Sequence, residues 1–256
     1  MKKHLLKGLL LLATVTLGAC SGETTAGTTD QTTVDTIKEA GVLRVGVKDD
    51  VPNFGLRNTG TNEIEGFEID LAKKVAEEIL GDPDAIEFTP VTAKTRGPLV
   101  DNGEVDLLIS TFTITDERKE TYNFTEPYYK DAVGILVKKD KGYEGLKDMD
   151  GATIGVSQSS TTSGLIDEEA EQYGITLKYS EFATYPEIKA ALDSNRVDAF
   201  SVDRSILNGY SDDSTVILPD RFGTQDYGAV TKKTNTELAE YLNDLVNGWL
   251  DDGTID

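Results

Sequence analysis

The chain has 256 residues, with 25 Lys and Arg against 46 Asp and Glu, and a formal net charge of −21. A surface this acidic repels nucleic acid and anionic lipid, so neither is expected as a partner. The only histidine and the only cysteine, His4 and Cys20, lie within the first 20 residues. The rest of the chain therefore lacks the residues for Ser-His-Asp or Cys-His catalysis, thiol redox chemistry or a His-ligated zinc site.

Residues 1–19 have the pattern of a secretory signal peptide. Lys2 and Lys3 precede an apolar run over 5–17 that is too short to span a membrane. The run ends in LGAC, which resembles the bacterial lipobox, where cleavage leaves a lipid on the cysteine. We therefore expect a lipoprotein that Cys20 anchors to the outer face of the cell membrane. An ordinary signal peptide with an incidental cysteine is the alternative.

Residues 20–34 are rich in Thr, Gly and Ser and are predicted to form a flexible tether. From residue 36 onward, short apolar runs typical of strands alternate with longer runs of helical periodicity. The clearest helix lies over 66–80, where apolar residues recur every four positions and Gly81 ends the pattern. In chain order, we predict strands over 43–47, 86–88, 105–109, 132–138, 152–156, 178–182, 197–202 and 227–232, and helices over 66–80, around Pro98, and over 161–173, 185–194 and 236–250.

Strands that alternate with helices predict α/β sheets with right-handed crossovers. The alternation begins again after the long apolar strand 132–138, and a return strand is predicted over 227–232. This favours two α/β lobes joined by two hinge strands, with a ligand cleft between them. One lobe is expected to contain 35–131 plus 228–256 and the other 132–227. One larger sheet would give the same pattern and stays an alternative.

Five segments in this order resemble the polar amino-acid-binding proteins of bacterial ABC importers, known as solute-binding protein family 3. They are GVKDDVPNFGL (46–56), GFEIDLAKKVA (66–76), VDLLISTFTITDERKETYNFTEPYY (105–129), GATIGVSQSSTT (151–162) and RVDAFSVD (196–203). The resemblance implies the periplasmic-binding-protein-like type II fold. Within the family the chain is most similar to aspartate/glutamate-binding lipoproteins, through TAKTRGPL (92–99) and GVKDDVP (46–52). It departs at the C-terminus, where the family's last helix usually continues past Gly253.

The resemblance also implies what the protein does. Such proteins bind an amino acid between their lobes, and the closed form then docks on a transmembrane permease. We therefore expect a monomeric binding protein for L-aspartate or L-glutamate, with no enzymatic activity, metal or cofactor. A glutamine-binding protein is the near alternative, because an amide also fits a polar pocket. A surface adhesin or a dehydratase of the same fold is a distant one.

Arg118 is the candidate for the α-carboxylate of the ligand. A guanidinium stays charged and presents two parallel donors that match a carboxylate. The alternative is a surface arginine that pairs with Asp116 or Glu120, although an arginine near a helix N-terminus opposes the helix dipole. The resemblance assigns Arg118 to the α-carboxylate and places Thr111 and Thr113 beside it.

Thr161 and Thr162 follow a strand and open a predicted helix. The first N–H groups of a helix are free and attract anions, although simple capping by Ser160 or Thr161 explains the pattern equally well. The resemblance assigns both threonines to the α-carboxylate. Asp203 ends a strand, where ligand sites of α/β proteins lie. The resemblance assigns it to the α-ammonium, and a solvent-facing Asp beside Arg204 is the alternative.

Four residues are candidates for contacts with the ligand's side chain. Many members of the family carry an acidic residue where this chain has Lys48. Lys48 and Arg96 together place two cations against a second carboxylate, and a buried unpaired cation is costly without an anion. The resemblance adds Tyr185 as a hydroxyl donor, and Phe54 is expected to form the apolar wall of the pocket.

Both cations also have a purely structural interpretation. Lys48 is followed by Asp49 and Asp50, with which it can pair at the rim of the cleft. Arg96 can pair with Asp101. If both pairs form, neither cation is free to select an acidic ligand.

Overall fold

The computed structural model describes residues 31–255. The predicted signal peptide, Cys20 and residues 20–30 of the predicted tether lie outside this range. The helices are α1 (Val34–Ala40), α2 (Phe67–Leu80), α3 (Arg96–Asp101), α4 (Asp116–Thr121), α5 (Thr162–Tyr173), α6 (Tyr185–Asp193), α7 (Arg204–Tyr210) and α8 (Thr236–Asp251). The strands are β1 (Leu43–Val47), β2 (Asp50–Val51), β3 (Gly55–Arg57), β4 (Ile64–Glu65), β5 (Ile86–Pro90), β6 (Leu107–Ile109), β7 (Tyr122–Phe124), β8 (Tyr129–Lys138), β9 (Thr153–Ser157), β10 (Lys178–Phe182), β11 (Ala199–Asp203), β12 (Thr215–Ile217), β13 (Phe222–Tyr227) and β14 (Val230–Lys232).

Two separate sheets confirm the two α/β lobes. The first has the order β5-β1-β6-β14-β7, and the second has the order β10-β9-β11-β8-β12, with β13 also paired to β8. In the first sheet β1 is parallel to β5 and β6, whereas β14 runs antiparallel to its neighbours. In the second, β9 is parallel to β10 and β11, and β8 is antiparallel to β11. The predicted lobe bounds stay a prediction.

Helix α2 shows why the predicted periodicity gives this architecture. Its apolar face is buried in the core beside the first sheet, and Gly81 ends it in the left-handed conformation at φ 74°. Each fully buried aliphatic side chain on such a face contributes about 1.5–3 kcal/mol. Replacing Val75, at 2% exposure, with a charged residue would place an unpaired charge in this core.

Within residues 31–255, none of the helices is long and apolar enough to cross a membrane.

The predicted return strand over 227–232 is in fact two strands in different sheets. Strand β13 pairs with β8 in the second sheet, whereas β14 pairs with β6 and β7 in the first. Gly228 lies between them, and a Cβ there would come within 3.1 Å of the Thr125 carbonyl oxygen. The prediction of one strand was wrong because apolar alternation shows that a segment is extended but not which sheet it joins.

Several short elements carry too weak a pattern to be predicted. Helix α1 begins at Val34, the last residue of the predicted tether, and Thr33 and Thr36 form its capping box. The small sheet of β2, β3 and β4 and the helix α7 were also missed. Strand β6 begins at Leu107, two residues later than predicted. The side chain of Asp106, just before the strand, accepts the Arg44 backbone N–H at 2.8 Å. Short elements depend on tertiary contacts, which local periodicity does not contain.

Candidate functional site

The predicted site residues meet at the facing edges of the two sheets. Lys48 follows β1, Thr111 follows β6, and Asp203 is the last residue of β11. These are carboxyl ends of strands, where α/β proteins place their ligand sites. Hydrogen bonds cross between the lobes here, from Arg118 to Ser159 and from Tyr185 and Tyr210 to Asp50.

Arg118 crosses between the lobes. Its Nη1 donates to the Thr113 carbonyl oxygen at 2.8 Å, and its Nη2 donates to the Ser159 carbonyl oxygen at 3.2 Å. Its guanidinium carbon lies 4.7 Å from the centroid of the Phe112 ring. Burial and the nearby Arg96 lower the pKa of Arg118 to about 10, so it stays charged at neutral pH. The predicted surface pairs with Asp116 and Glu120 are absent from the part of the chain that the structure describes.

The hydroxyls of Thr113 and Thr161 converge on a residue that the sequence did not indicate. Both donate to Oε1 of Gln225, at 2.7 Å from Thr113 and 3.0 Å from Thr161. Gln225 lies on β13 and is buried. Thr162, the first residue of α5, is buried beside them. Gln225 thus joins the two threonines by accepting a hydrogen bond from each hydroxyl.

Asp203 is buried, at 6% exposure, so the alternative of a solvent-facing carboxylate is wrong. The Tyr227 hydroxyl donates to its Oδ2. Burial raises the pKa of Asp203 to about 7, and Asp131 adds to this, whereas the Tyr227 hydrogen bond and Arg96 oppose it. Ionising such a buried group is costly, and an ammonium placed beside it would stabilise the ionised form.

Lys48 is buried at 1% exposure and paired with Asp50, whose Oδ1 lies 2.9 Å from Nζ. The alternative pairing with Asp50 is therefore present, but in the interior rather than at the rim. The other oxygen, Oδ2, accepts the Tyr185 backbone N–H at 3.1 Å, and Lys48 Nζ lies 4.8 Å from the centroid of the Tyr185 ring. Burial lowers the pKa of Lys48, and the Asp50 carboxylate opposes the shift. Asp49 pairs instead with Arg57 at 3.2 Å.

Arg96 is the first residue of α3 and is 4% exposed. Its Nη1 donates to the carbonyl oxygens of Ser110, at 2.6 Å, and Thr111, at 3.1 Å. The guanidinium carbon lies 3.9 Å from the Phe112 ring centroid, and Nε is buried without a hydrogen-bond partner. Within residues 31–255 Arg96 forms no ion pair, including the alternative pair with Asp101. Burial lowers its pKa.

The structure adds Glu68, which the sequence analysis did not single out. Glu68 is fully buried on α2, and its Oε1 accepts the Thr111 backbone N–H at 2.6 Å and the Tyr128 hydroxyl at 2.5 Å. Burial raises its pKa to about 7. The sequence did contain a signal for Glu68: it lies three and four residues before Leu71 and Ala72 and therefore on the apolar face of the predicted helix. A buried acidic residue on such a face needs a polar partner.

Phe54 lies in an aromatic cluster beside the strands that connect the lobes. Its ring meets Tyr129 edge-on at 4.9 Å between centroids, and it also contacts Phe67 and Tyr227. It is buried, as an apolar wall requires. Among residues 31–255, no three His, Cys, Asp or Glu side chains are grouped to hold a metal ion.

The site therefore offers the buried carboxylate of Asp203 and the guanidinium groups of Arg96 and Arg118. This arrangement is suited to holding an amino-acid zwitterion and defines a solute-binding protein of the two-lobed class. Residues 43–256 match the family of bacterial extracellular solute-binding proteins, family 3, and the chain belongs to this family.

Curated relatives are named for amino acids. The chain is 39% identical over 233 residues to the glutamine-binding protein of Geobacillus stearothermophilus, with 90% of this chain and 85% of the relative covered. It is 34% identical to the ABC transporter glutamine-binding protein GlnH of Bacillus subtilis, covering 96% and 91%. It is 32% identical to the glutamate-binding protein GluB of Corynebacterium glutamicum, covering 96% and 85%.

A solved structure, an ancestral arginine-binding protein bound to glutamine, is similar with a TM-score of 0.75 and 32% identity. The similar region covers 84% of this chain and 95% of the chain in that structure. Together, these comparisons establish an amino-acid solute-binding protein of the ABC importer class.

Proposed function

We propose that this protein captures L-glutamate or L-aspartate for its importer. In this proposal Arg118, Thr161 and Thr162 bind the α-carboxylate, and Asp203 binds the α-ammonium. Arg96 binds the side-chain carboxylate. Lys48, Phe54 and Tyr185 border that side chain, and Thr111 and Thr113 lie beside Arg118.

The observation that carries the proposal is the state of Arg96. It is buried with no ion pair among the described residues, and one of its donors, Nε, has no partner. Arg96 and Arg118 lie against the same ring, at 3.9 and 4.7 Å from the Phe112 centroid. A buried cation without a counter-ion is destabilising. A dicarboxylic amino acid would supply one carboxylate to each guanidinium.

Glutamine is the second candidate, and the comparisons favour it over the acids. Two of the relatives above are named glutamine-binding proteins, and the one with the higher identity is 39% identical. The site also contains a feature that suits an amide. Lys48 is already paired with Asp50, and the hydroxyls of Ser110 and Thr111 are buried without partners. An amide, which both donates and accepts, can bond such hydroxyls.

Calorimetric titration of residues 31–256 decides between the two candidates, after unfolding and refolding to remove carried-over ligand. The protein is titrated with L-glutamate, L-aspartate and L-glutamine at pH 7.5. We expect one of the acids to bind at least tenfold more tightly than glutamine, which corresponds to about 1.4 kcal/mol. Tighter glutamine binding would refute the acidic preference and leave the importer role intact. Ligand recovered unchanged after prolonged incubation would argue against catalysis.

We also propose that a lipid on Cys20 holds the protein at the outer face of the cell membrane. The support is the sequence LGAC at the end of the predicted signal peptide. Mass spectrometry of the N-terminal peptide should show a diacylated cysteine, and Cys20→Ala should release the protein from the membrane fraction. An unmodified cysteine in membrane-bound protein would contradict the proposal.

A further inference from the structure

Glu68 lies directly behind two predicted ligand residues. Its carboxylate accepts the Thr111 N–H at 2.6 Å, and Arg96 donates to the carbonyl oxygen of the same residue at 3.1 Å. Thr111 is thus held from both ends of its backbone by one acidic and one basic side chain. All three residues are at least nine-tenths buried.

The backbone of Thr111 shows that this arrangement is imposed. Its φ is 49°, in the left-handed region that a β-branched residue rarely adopts. A residue in this conformation costs on the order of 1–3 kcal/mol and persists only where its surroundings hold it. The Glu68 carboxylate holds the N–H in that orientation and so fixes which groups of Thr111 are presented to the cleft.

The charged and titratable groups that act on Glu68 come from three elements or their ends. Tyr128, just before β8, donates its hydroxyl to Oε1, and the two cations are Arg96 on α3 and Lys48 after β1. Lys48 is already paired with Asp50. The negative charge of Glu68 and the positive charge of Arg96 act on each other, although no ion pair joins them. The second oxygen, Oε2, is buried without a partner.

We infer that Glu68 is a positioning residue that sets the charge preference of the cleft and takes up a proton when an acidic amino acid binds. The inference rests on the proposed function, in which Arg96 binds the ligand's side chain. While Glu68 is ionised, its negative charge offsets the positive charge of Arg96. A ligand with a neutral side chain leaves this balance of charge unchanged. An acidic ligand brings a second anion to Arg96, and protonation of Glu68 restores the balance.

The surroundings of Glu68 permit this proton uptake near neutral pH. Burial raises the pKa of Glu68 to about 7, against the hydrogen bonds from Tyr128 and Thr111. An additional anion beside Arg96 raises the pKa further, so binding shifts the carboxyl toward its protonated form. The unpartnered Oε2 is the oxygen on which the proton would reside, because Oε1 already accepts two hydrogen bonds.

The first experiment measures proton uptake in the wild-type protein. Calorimetric titrations at pH 7.5 are run in two buffers with different ionisation enthalpies, once with L-glutamate and once with L-glutamine. Asp203 contributes equally to both ligands, because both carry the same α-ammonium. We expect L-glutamate to bind with at least half a proton more uptake than L-glutamine. Equal proton uptake for the two ligands would overturn the inference.

The second experiment uses Glu68→Gln, which keeps an oxygen for the Thr111 N–H and removes the charge. The affinity ratio of L-glutamate to L-glutamine should rise at least tenfold, and the difference in proton uptake should vanish. Tyr128→Phe removes a hydrogen bond that holds the pKa of Glu68 down, so it should move the ratio in the same direction as Glu68→Gln and by a smaller factor. Equal changes for both ligands in Glu68→Gln would mean that Glu68 is only structural.

These outcomes are separable from the proposed function. A wild-type protein that prefers glutamine refutes the acidic preference, yet the ratio must still move toward L-glutamate in Glu68→Gln if the inference is right. A preference for L-glutamate with an unchanged ratio refutes the role of Glu68 alone.

Discussion

Arg118→Ala should abolish amino-acid binding whatever the ligand's side chain. The guanidinium already makes two hydrogen bonds that fix its plane, to Thr113 O at 2.8 Å and to Ser159 O at 3.2 Å. It is therefore positioned before a ligand arrives, and little side-chain entropy remains to be lost on binding. No other side chain that we place on the α-carboxylate is charged.

The magnitude follows from the hydrogen bonds that the ligand would lose. Each hydrogen bond to a charged group contributes roughly 1.5–3 kcal/mol, so a bidentate pair contributes about 3–6 kcal/mol. This corresponds to a loss of roughly 10²- to 10⁴-fold in affinity. The partly exposed bond to Ser159 adds little by comparison.

Calorimetric titration with L-glutamate and L-glutamine measures the effect. Both ligands should lose the same factor, since the α-carboxylate is common to them. Arg57→Ala is the matched control, because Arg57 pairs with Asp49 at 3.2 Å with a side chain 34% exposed. Such exposed pairs contribute about 0–1 kcal/mol, so that variant should bind normally. An affinity within threefold of wild type for Arg118→Ala would remove Arg118 from the site.

Four further outcomes are expected. Arg96→Met should weaken binding of L-glutamate at least tenfold more than binding of L-glutamine by calorimetry, and equal losses would mean that Arg96 is structural. Asp50→Asn should favour L-glutamate over L-glutamine, because it leaves the charge of Lys48 unopposed, and an unchanged ratio would place Lys48 outside the pocket. The pKa of Asp203 is raised from 3.8 to about 7 in the folded protein. Between these two pH values the folded protein binds a proton on Asp203 that the unfolded chain has lost, so the free energy of unfolding without ligand should fall as pH rises from 4 to 7. The slope is at most about 1.4 kcal/mol per pH unit for this group, and Asp203→Asn should reduce it in urea denaturation, whereas an unaltered slope would refute the assignment. Tyr210→Phe removes the hydroxyl that donates to the Asp50 carbonyl oxygen across the cleft, so it should weaken all ligands by one common factor, and a ligand-dependent change would contradict this.

The sequence predicted the repeating parts of the fold well. Strand 43–47 and strand 178–182 have the predicted bounds, and helix α2 differs by one residue at its start. These elements have long buried faces, so local periodicity contains the information that folding uses. The chain passes from the second sheet to the first between β13 and β14. This change depends on which strand each of them pairs with, and strand pairing is a tertiary property.

The sequence singled out the cations of the candidate site and one partner, Asp50, but not Glu68 or Gln225. Lys48 and Arg96 stood out through the family resemblance, because many members carry an acidic residue where this chain has Lys48. Glu68 and Gln225 did not, because a single acidic or amide residue within a helix or strand has no distinguishing pattern. Their importance comes from contacts to residues 43 and 112 positions away, which no window of local sequence includes.

The polar contacts between the lobes have one further consequence for how binding is driven. Two of them use main-chain groups or residues that were not predicted to bind ligand: Asp50 Oδ2 accepts the Tyr185 backbone N–H, and the Asp50 carbonyl oxygen accepts the Tyr210 hydroxyl. These contacts stabilise the arrangement in which the lobes meet, independently of the ligand. A ligand shifts an equilibrium between open and closed forms only by its difference in affinity for the two. Because these contacts of Tyr185 and Tyr210 already favour the closed form, less of the ligand's binding energy is needed for closure, and in the proposed function the charge balance around Arg96 then sets the specificity.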